Sequence, residues 1–249
     1  MYKSIFLSGV FFLFLSSNLL ASDKFIITVH PSAHPFGWHE DGKVKGAAVE
    51  LMKLVAKDLD IPVETTVLPW RRSIKHAKSG EIDGVLTAFY TEQRAQFMKY
   101  TKAYETVDTS VFVKKNKEFD FQKWDDLIGK TGLTIVGDSQ GDKWDKFENE
   151  KLNIIRVVHI EQIFEMLSND RADFAVFPRI ATLREIKKMG YNNKIINLPK
   201  PITSQGVYIA ISKKSPFFNK FDLINERIEF YVKNGTYQKL QEKAFNQKD

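Results

Sequence analysis

Residues 80–104, G-E-I-D-G-V-L-T-A-F-Y-T-E-Q-R-A-Q-F-M-K-Y-T-K-A-Y, are the stretch whose reading decides the fold. Ser79-Gly80 opens it as a turn, residues 84–86 read as a short apolar strand, and residues 87–91 form a polar and aromatic tip. A strand that delivers its C-terminal end into a loop and then into a capped helix is where α/β proteins bind ligands. Thr91 is the expected N-cap, its hydroxyl accepting from the amide of Gln93 or Arg94. Arg94 then falls in the first helical turn, where a cation gains nothing from the helix dipole. Capture of an anion would explain it, and so would a solvated surface position. On this stretch alone the two readings weigh evenly.

Outward from it, residues 25–29 and 63–68 read as strands, and residues 47–59 and 72–78 as helices. Residues 31–38 read as a loop, because two prolines and a glycine disfavour regular structure and fix the rings of Phe36 and Trp38. Further on, strands are expected at 109–113, 133–136, 154–158, 174–177, 194–198 and 207–211. Helices are expected at 124–128, from 144, and at 160–168, 181–189, 217–233 and 237–245, with Asn234-Gly235 stopping the longest. Strands alternating with helices predict an α/β protein with mostly parallel sheets. Charged residues at 114–117 and the segment 203–206 read as two extended crossovers. They would divide the chain into a discontinuous lobe, 22–113 with 207–249, and an inserted lobe, 114–206.

The chain has 249 residues, no cysteine and a formal net charge of +6. Residues 1–21 read as an export signal, with Lys3 ahead of an apolar run and cleavage expected after Ala21. Leu19 fits that cleavage poorly, which leaves an uncleaved anchor open. Lys3 is the only charge in the segment, so its removal lowers +6 to +5. No run of five Lys or Arg occurs, which argues against nucleic-acid binding. Without cysteine there is no disulfide, no thiol nucleophile and no lipid attachment at the cleavage site. The expected location is a periplasm.

The order of pieces resembles the bacterial extracellular solute-binding proteins of the polar amino acid type, family 3. The resembling residues are Pro35-Phe36, Gly42 with Gly46, Pro69-Trp70, Gly80-x-x-Asp83, Thr91-x-x-Arg94 and Tyr104. They continue with Leu127-x-Gly129-Lys130, Gly137-x-Ser139, Arg171-x-Asp173 and Asn234-Gly235-Thr236-Tyr237. The resemblance implies a two-lobe periplasmic binding protein type II fold with a two-strand hinge, closing over a small ligand for an ABC importer permease or a membrane receptor. No cofactor or metal is implied, and a monomer is expected. By the same resemblance Arg94 holds a ligand carboxylate, Thr87 bonds the ligand, Trp70 packs on it, and Ser139, beside Asp138, contacts the carboxylate.

The departures carry information too. Phe89 stands where the family commonly has a serine, and Ala33 where it often has an aromatic ring, for which Phe36, Trp38 and Tyr90 could compensate. The position that supplies an aspartate to the ligand ammonium reads Pro178, followed by Arg179. An unpaired buried ammonium would cost on the order of several kcal/mol. An ordinary α-amino acid is therefore not expected, and Arg179 as a second cation would suit a dianionic or acidic aromatic ligand.

His30, His34, His39 and Glu40 share one segment but match no metal spacing, and only His34 joins the candidate cleft residues. Asp83 and Asp173 read as structural, bonding local backbone amides. An enzyme on the same scaffold, a cyclohexadienyl-type dehydratase, is the alternative. It would need a general acid in the cleft, for which Glu92, Glu105 and His34 are available.

Overall fold

The computed structural model describes residues 24–246, so the export-signal reading of residues 1–21 lies outside it. The first part of the chain gives β1 (Phe25–Thr28), β2 (Ser32–Ala33), β3 (Gly37–Glu40), β4 (Lys43–Lys45), α1 (Ala47–Asp58) and β5 (Val63–Thr65). It continues through α2 (Trp70–Ser79), β6 (Gly84–Ala88), α3 (Glu92–Ala95), β7 (Met98–Tyr100) and β8 (Glu105–Lys114). The middle holds β9 (Thr131–Ile135), α4 (Asp142–Lys151), β10 (Asn153–Val157), α5 (Ile160–Ser168), β11 (Phe174–Pro178) and α6 (Arg179–Lys188). The chain closes with β12 (Ile195–Ser212), α7 (Phe221–Lys233) and α8 (Thr236–Phe245).

The main sheet runs β10-β9-β11-β8-β12-β6-β1-β5, with β7 also on β12. Its flanks are parallel and its centre antiparallel. It is a mixed α/β fold of two lobes. β6 is buried along its whole length, because helices cover both faces of its half of the sheet. Leu86 packs with Leu51, Met52 and Val55 of α1, while Val85 and Ala88 pack on the other face with Trp70 and Ala77 of α2. The second half repeats the scheme, with Leu133, Ile163 and Phe177 on one face and Val113, Trp144 and Phe174 on the other. Each Val, Leu, Ile, Met or Phe among them contributes about 1.5–3 kcal/mol on full burial.

Three expectations change. Residues 31–38 are not all loop, since β2 and the start of β3 form a small antiparallel sheet with β4. Residues 109–113 are the inner part of a strand that already begins at Glu105. The strands expected at 194–198 and 207–211 are the ends of one strand, β12, and the segment 203–206 lies inside it. The two expected crossovers thus fall at opposite ends of one antiparallel ladder, which runs from Ile195 opposite Lys114 to Val207 opposite Glu105. Pro199 and Pro201 obscured it. Proline cannot donate to a ladder, and the register shifts on both sides of Pro201.

Asp83 and Asp173 act alike in the two lobes. Asp83 accepts from the amide of Ile26 at 2.7 Å and the hydroxyl of Ser215 at 2.6 Å, tying β1 and the chain after β12 to β6. Asp173 accepts from the amide of Thr131 at 2.7 Å. Asp83→Ala would leave that buried amide unpaired, and we expect a loss of roughly 2–4 kcal/mol, read from the urea midpoint at unchanged slope.

His39 of β3 is pushed down to about 4, first by burial and second by nearby His30. The unfolded chain takes up a proton near 6.5 that the native state refuses until about 4. Stability should therefore fall as pH drops through that window. His39→Asn should flatten the dependence, as followed by thermal melts across the same pH range.

Candidate functional site

Between the lobes lies a cavity of about 60 Å³, room for on the order of five ordered waters. Its walls are mostly apolar, with Phe36, Trp70 and Phe89 from the first lobe and Ile135, Ile160 and Phe177 from the second. Against these stand a few polar groups, Arg94, Thr87, His30, Asp138, Ser139 and Gln140 among them. Small-molecule sites have this composition.

The local sequence places each group. Thr91 caps α3 as expected, its hydroxyl accepting from the Arg94 amide at 3.1 Å. The Arg94 side chain turns inward and is only 6% exposed, which removes the surface reading. Its Nη2 donates to the Gly137 carbonyl at 2.9 Å and its Nη1 to the Phe89 carbonyl at 3.3 Å. The guanidinium also lies 5.5 Å from the Trp70 ring centroid. No Asp or Glu oxygen among the described residues forms an ion pair with it. A buried charge in that state is poised for an external anion.

Trp70, at the first position of α2, donates its Nε1 to the same Gly137 carbonyl at 3.1 Å. Thr87 accepts from the His30 amide at 2.7 Å, which leaves its hydroxyl proton to donate elsewhere. Ser139 reaches the cavity, but its hydroxyl donates to Asp145 and accepts from the Gly141 amide at 3.1 Å. Burial raises the Asp145 carboxyl, opposed by those bonds from Ser139 and Gln140. Tyr100, beneath Phe89, is pushed up to about 12 by burial. Its hydroxyl donates to the Phe89 carbonyl at 3.3 Å.

Three candidates do not line the cavity. His34 donates its Nε2–H to the Ala244 carbonyl at 3.1 Å, and Trp38 packs on its ring at 4.3 Å in the core beside α1. Ala33 and Phe36 take the inward places of that hairpin. Arg179 pairs with Asp108 on β8 at 2.9 Å, because β11 lies beside β8 and the first residue of α6 splays away from Pro178, which does line the cavity. The dianionic expectation rested on Arg179 and loses its second cation.

His30 and Gln140 are among the cavity residues that the sequence reading does not single out for ligand binding. His30 follows β1 and was weighed only for metal, although the end of a central strand is where ligand groups gather. Gln140, whose Oε1 accepts from the Thr109 hydroxyl at 3.0 Å, had no signal in the sequence. Among the described residues no group of three or more His, Cys, Asp or Glu is placed to hold a metal ion.

The lobes meet across the cavity through Gly137, through His30 and Asp138 at 3.2 Å, and through the Glu92 amide and the Asp142 carboxylate at 2.9 Å. Outside this seam, Arg71, Lys75 and Lys78 of α2 share a groove with Asp142, Asp145 and Glu148 of α4.

The model of the bacterial extracellular solute-binding proteins, family 3, matches residues 25–247. A probable amino-acid-binding protein of Bacillus subtilis (strain 168) is 28% identical over 86% of this chain and 81% of its own length. An arginine-binding extracellular protein of the same organism is 25% identical over 89% of this chain and 86% of its own. A crystal structure of a mutant arginine-binding protein from T. maritima superposes with a TM-score of 0.76, covering 90% of this chain and 96% of that one at 21% identity.

Gly137 has φ of +88°, a left-handed conformation, and a Cβ there would press on Arg71 at 3.3 Å. Gly137→Ala should cost about 1 kcal/mol from the backbone alone, read as a lowered urea midpoint.

Proposed function

The chain belongs to the bacterial extracellular solute-binding proteins, family 3, and from that membership we propose that it captures a small carboxylate-bearing molecule in the periplasm by closing its lobes. The closed protein then presents the ligand to the permease of an ABC importer. The observation that carries the reading is Arg94, a buried guanidinium at the cavity that forms no ion pair with a carboxylate among the described residues. Thr87, with its hydroxyl proton uncommitted to the His30 amide, supplies a second donor to the carboxylate. Trp70 and Phe89 hold the apolar body. Pro178 faces the cavity without a side-chain acceptor, so an amino group is not read there as it is in ordinary amino acid binders.

The lobe boundaries expected at 113/114 and 206/207 lie at opposite ends of the shared β8–β12 ladder, while Val111, Phe112 and Val113 of β8 pack with residues of β9 and β11. The chain acts as a monomer in this scheme, with a membrane receptor as the alternative listener. The dehydratase alternative finds little support. Glu92 is exposed, Glu105 accepts from Gln241 at 2.7 Å, and His34 is bonded to Ala244, so none of the three lines the cavity.

Native mass spectrometry of residues 22–249, purified without refolding, should show a bound small molecule. Arg94→Ala should lose it, with affinity for a matching carboxylate reduced by about 30-fold or more, ~2 kcal/mol. Retention of the molecule by Arg94→Ala would sink the proposal.

A further inference from the structure

The bonds that cross the seam through His30, Arg94 and Trp70 belong to side chains that line the cavity. The bond between Glu92 and Asp142 does not. Glu92 is the first residue of α3, the helix that carries Arg94. The leading amides of a helix have no partner within it. The Thr91 hydroxyl serves the Arg94 amide, whereas the Glu92 amide is served from the other lobe, by Asp142 at the first position of α4. Both carboxylate oxygens lie within reach of it, at 2.9 and 3.2 Å. A carboxylate acceptor makes such a bond stronger than a neutral one. Asp142 stands outside the cavity, in the groove it shares with Thr91 and Gln93. Its bond therefore neither waits for a ligand nor is displaced by one.

We propose that Asp142 is a latch: it caps α3 from the opposite lobe, holds a closed population of the protein before any ligand arrives, and seats the helix of Arg94 as the lobes meet. This rests on the lobe closure proposed above and not on the chemistry of the ligand. The same two segments meet twice, since Arg94, two residues beyond Glu92, bonds Gly137, five residues before Asp142. The carboxylate grips backbone, so the second lobe fixes the point from which the Arg94 side chain reaches inward. When the lobes part, amide and carboxylate both pass to water. That exchange nearly balances, and the latch biases closure by a modest factor instead of locking it. A bias of that size leaves the cavity open to entry.

The chain has no cysteine, so Lys57→Cys in α1 and Glu165→Cys in α5, both exposed, place one spin label on each lobe. Double electron–electron resonance on residues 22–249, freed of ligand by unfolding, dialysis and refolding, should give a closed and an open distance. Asp142→Ala should lower the closed-to-open ratio about three- to tenfold. Asp142→Asn keeps an acceptor oxygen and should lower it less. Glu92→Pro removes the amide proton and leaves α3 intact, because proline suits the first helical position and Thr91 is already extended, at φ −141° and ψ 148°. It should act as Asp142→Ala does, and the double variant should fall no further than either. Glu92→Ala keeps the amide and should match the parent. A ratio that neither Asp142→Ala nor Glu92→Pro changes, effects of the two that simply add, or a loss in Glu92→Ala equal to that in Glu92→Pro overturns the latch alone. A single distance common to every variant overturns the latch and the lobe motion together, so the two failures are distinguishable.

Discussion

A buried guanidinium with no ion-pair partner among the described residues is the constraint on which the site depends. Arg94 is desolvated, and two backbone carbonyls, those of Phe89 and Gly137, supply its partial compensation. Carbonyl dipoles hold a guanidinium in place without neutralising it. One of those carbonyls belongs to the other lobe. The same Gly137 oxygen also accepts from Trp70, so the guanidinium and the ring that line the cavity meet the other lobe at one atom. Gly137 suits that place because its backbone is left-handed and Arg71 packs against it.

The scaffold allows such a meeting because the lobes are continuous through the sheet. β8 and β12 run from one hydrophobic core into the other, and the pairing between them spans the boundary. A two-stranded ladder resists sliding but tolerates twisting, which favours rigid-body motion of the lobes about it. Each lobe anchors a strand with one aspartate, Asp83 or Asp173, bonded to a backbone amide of a neighbouring strand.

Charge is arranged around the cavity as well as in it. Basic α2 and acidic residues of α4 face a common groove at the rim of the seam. Burial raises Asp145 and Glu148 on the acidic side, while bonds from Ser139 and Gln140, and the charge of Arg156, oppose the rise.

Much of this was legible from residues alone. The alternation of apolar runs with capped, amphipathic segments determined the α/β class and most of its elements, because periodicity and capping are local properties. Thr91 and Arg94 were readable for the same reason, since a cap and the residue three places on are fixed by one helical turn. The tertiary structure decided what depends on neighbours distant in the chain. Pro199 and Pro201 hid the unity of β12, which only pairing with β8 reveals. Arg179 looked like a ligand group until Asp108, 71 residues away, proved to be its partner. His30 gave no sign of its place until Asp138, 108 residues away, was brought against it. Side-chain orientation at a cleft follows from competing partners, and those partners are chosen by packing between lobes, which no local pattern encodes.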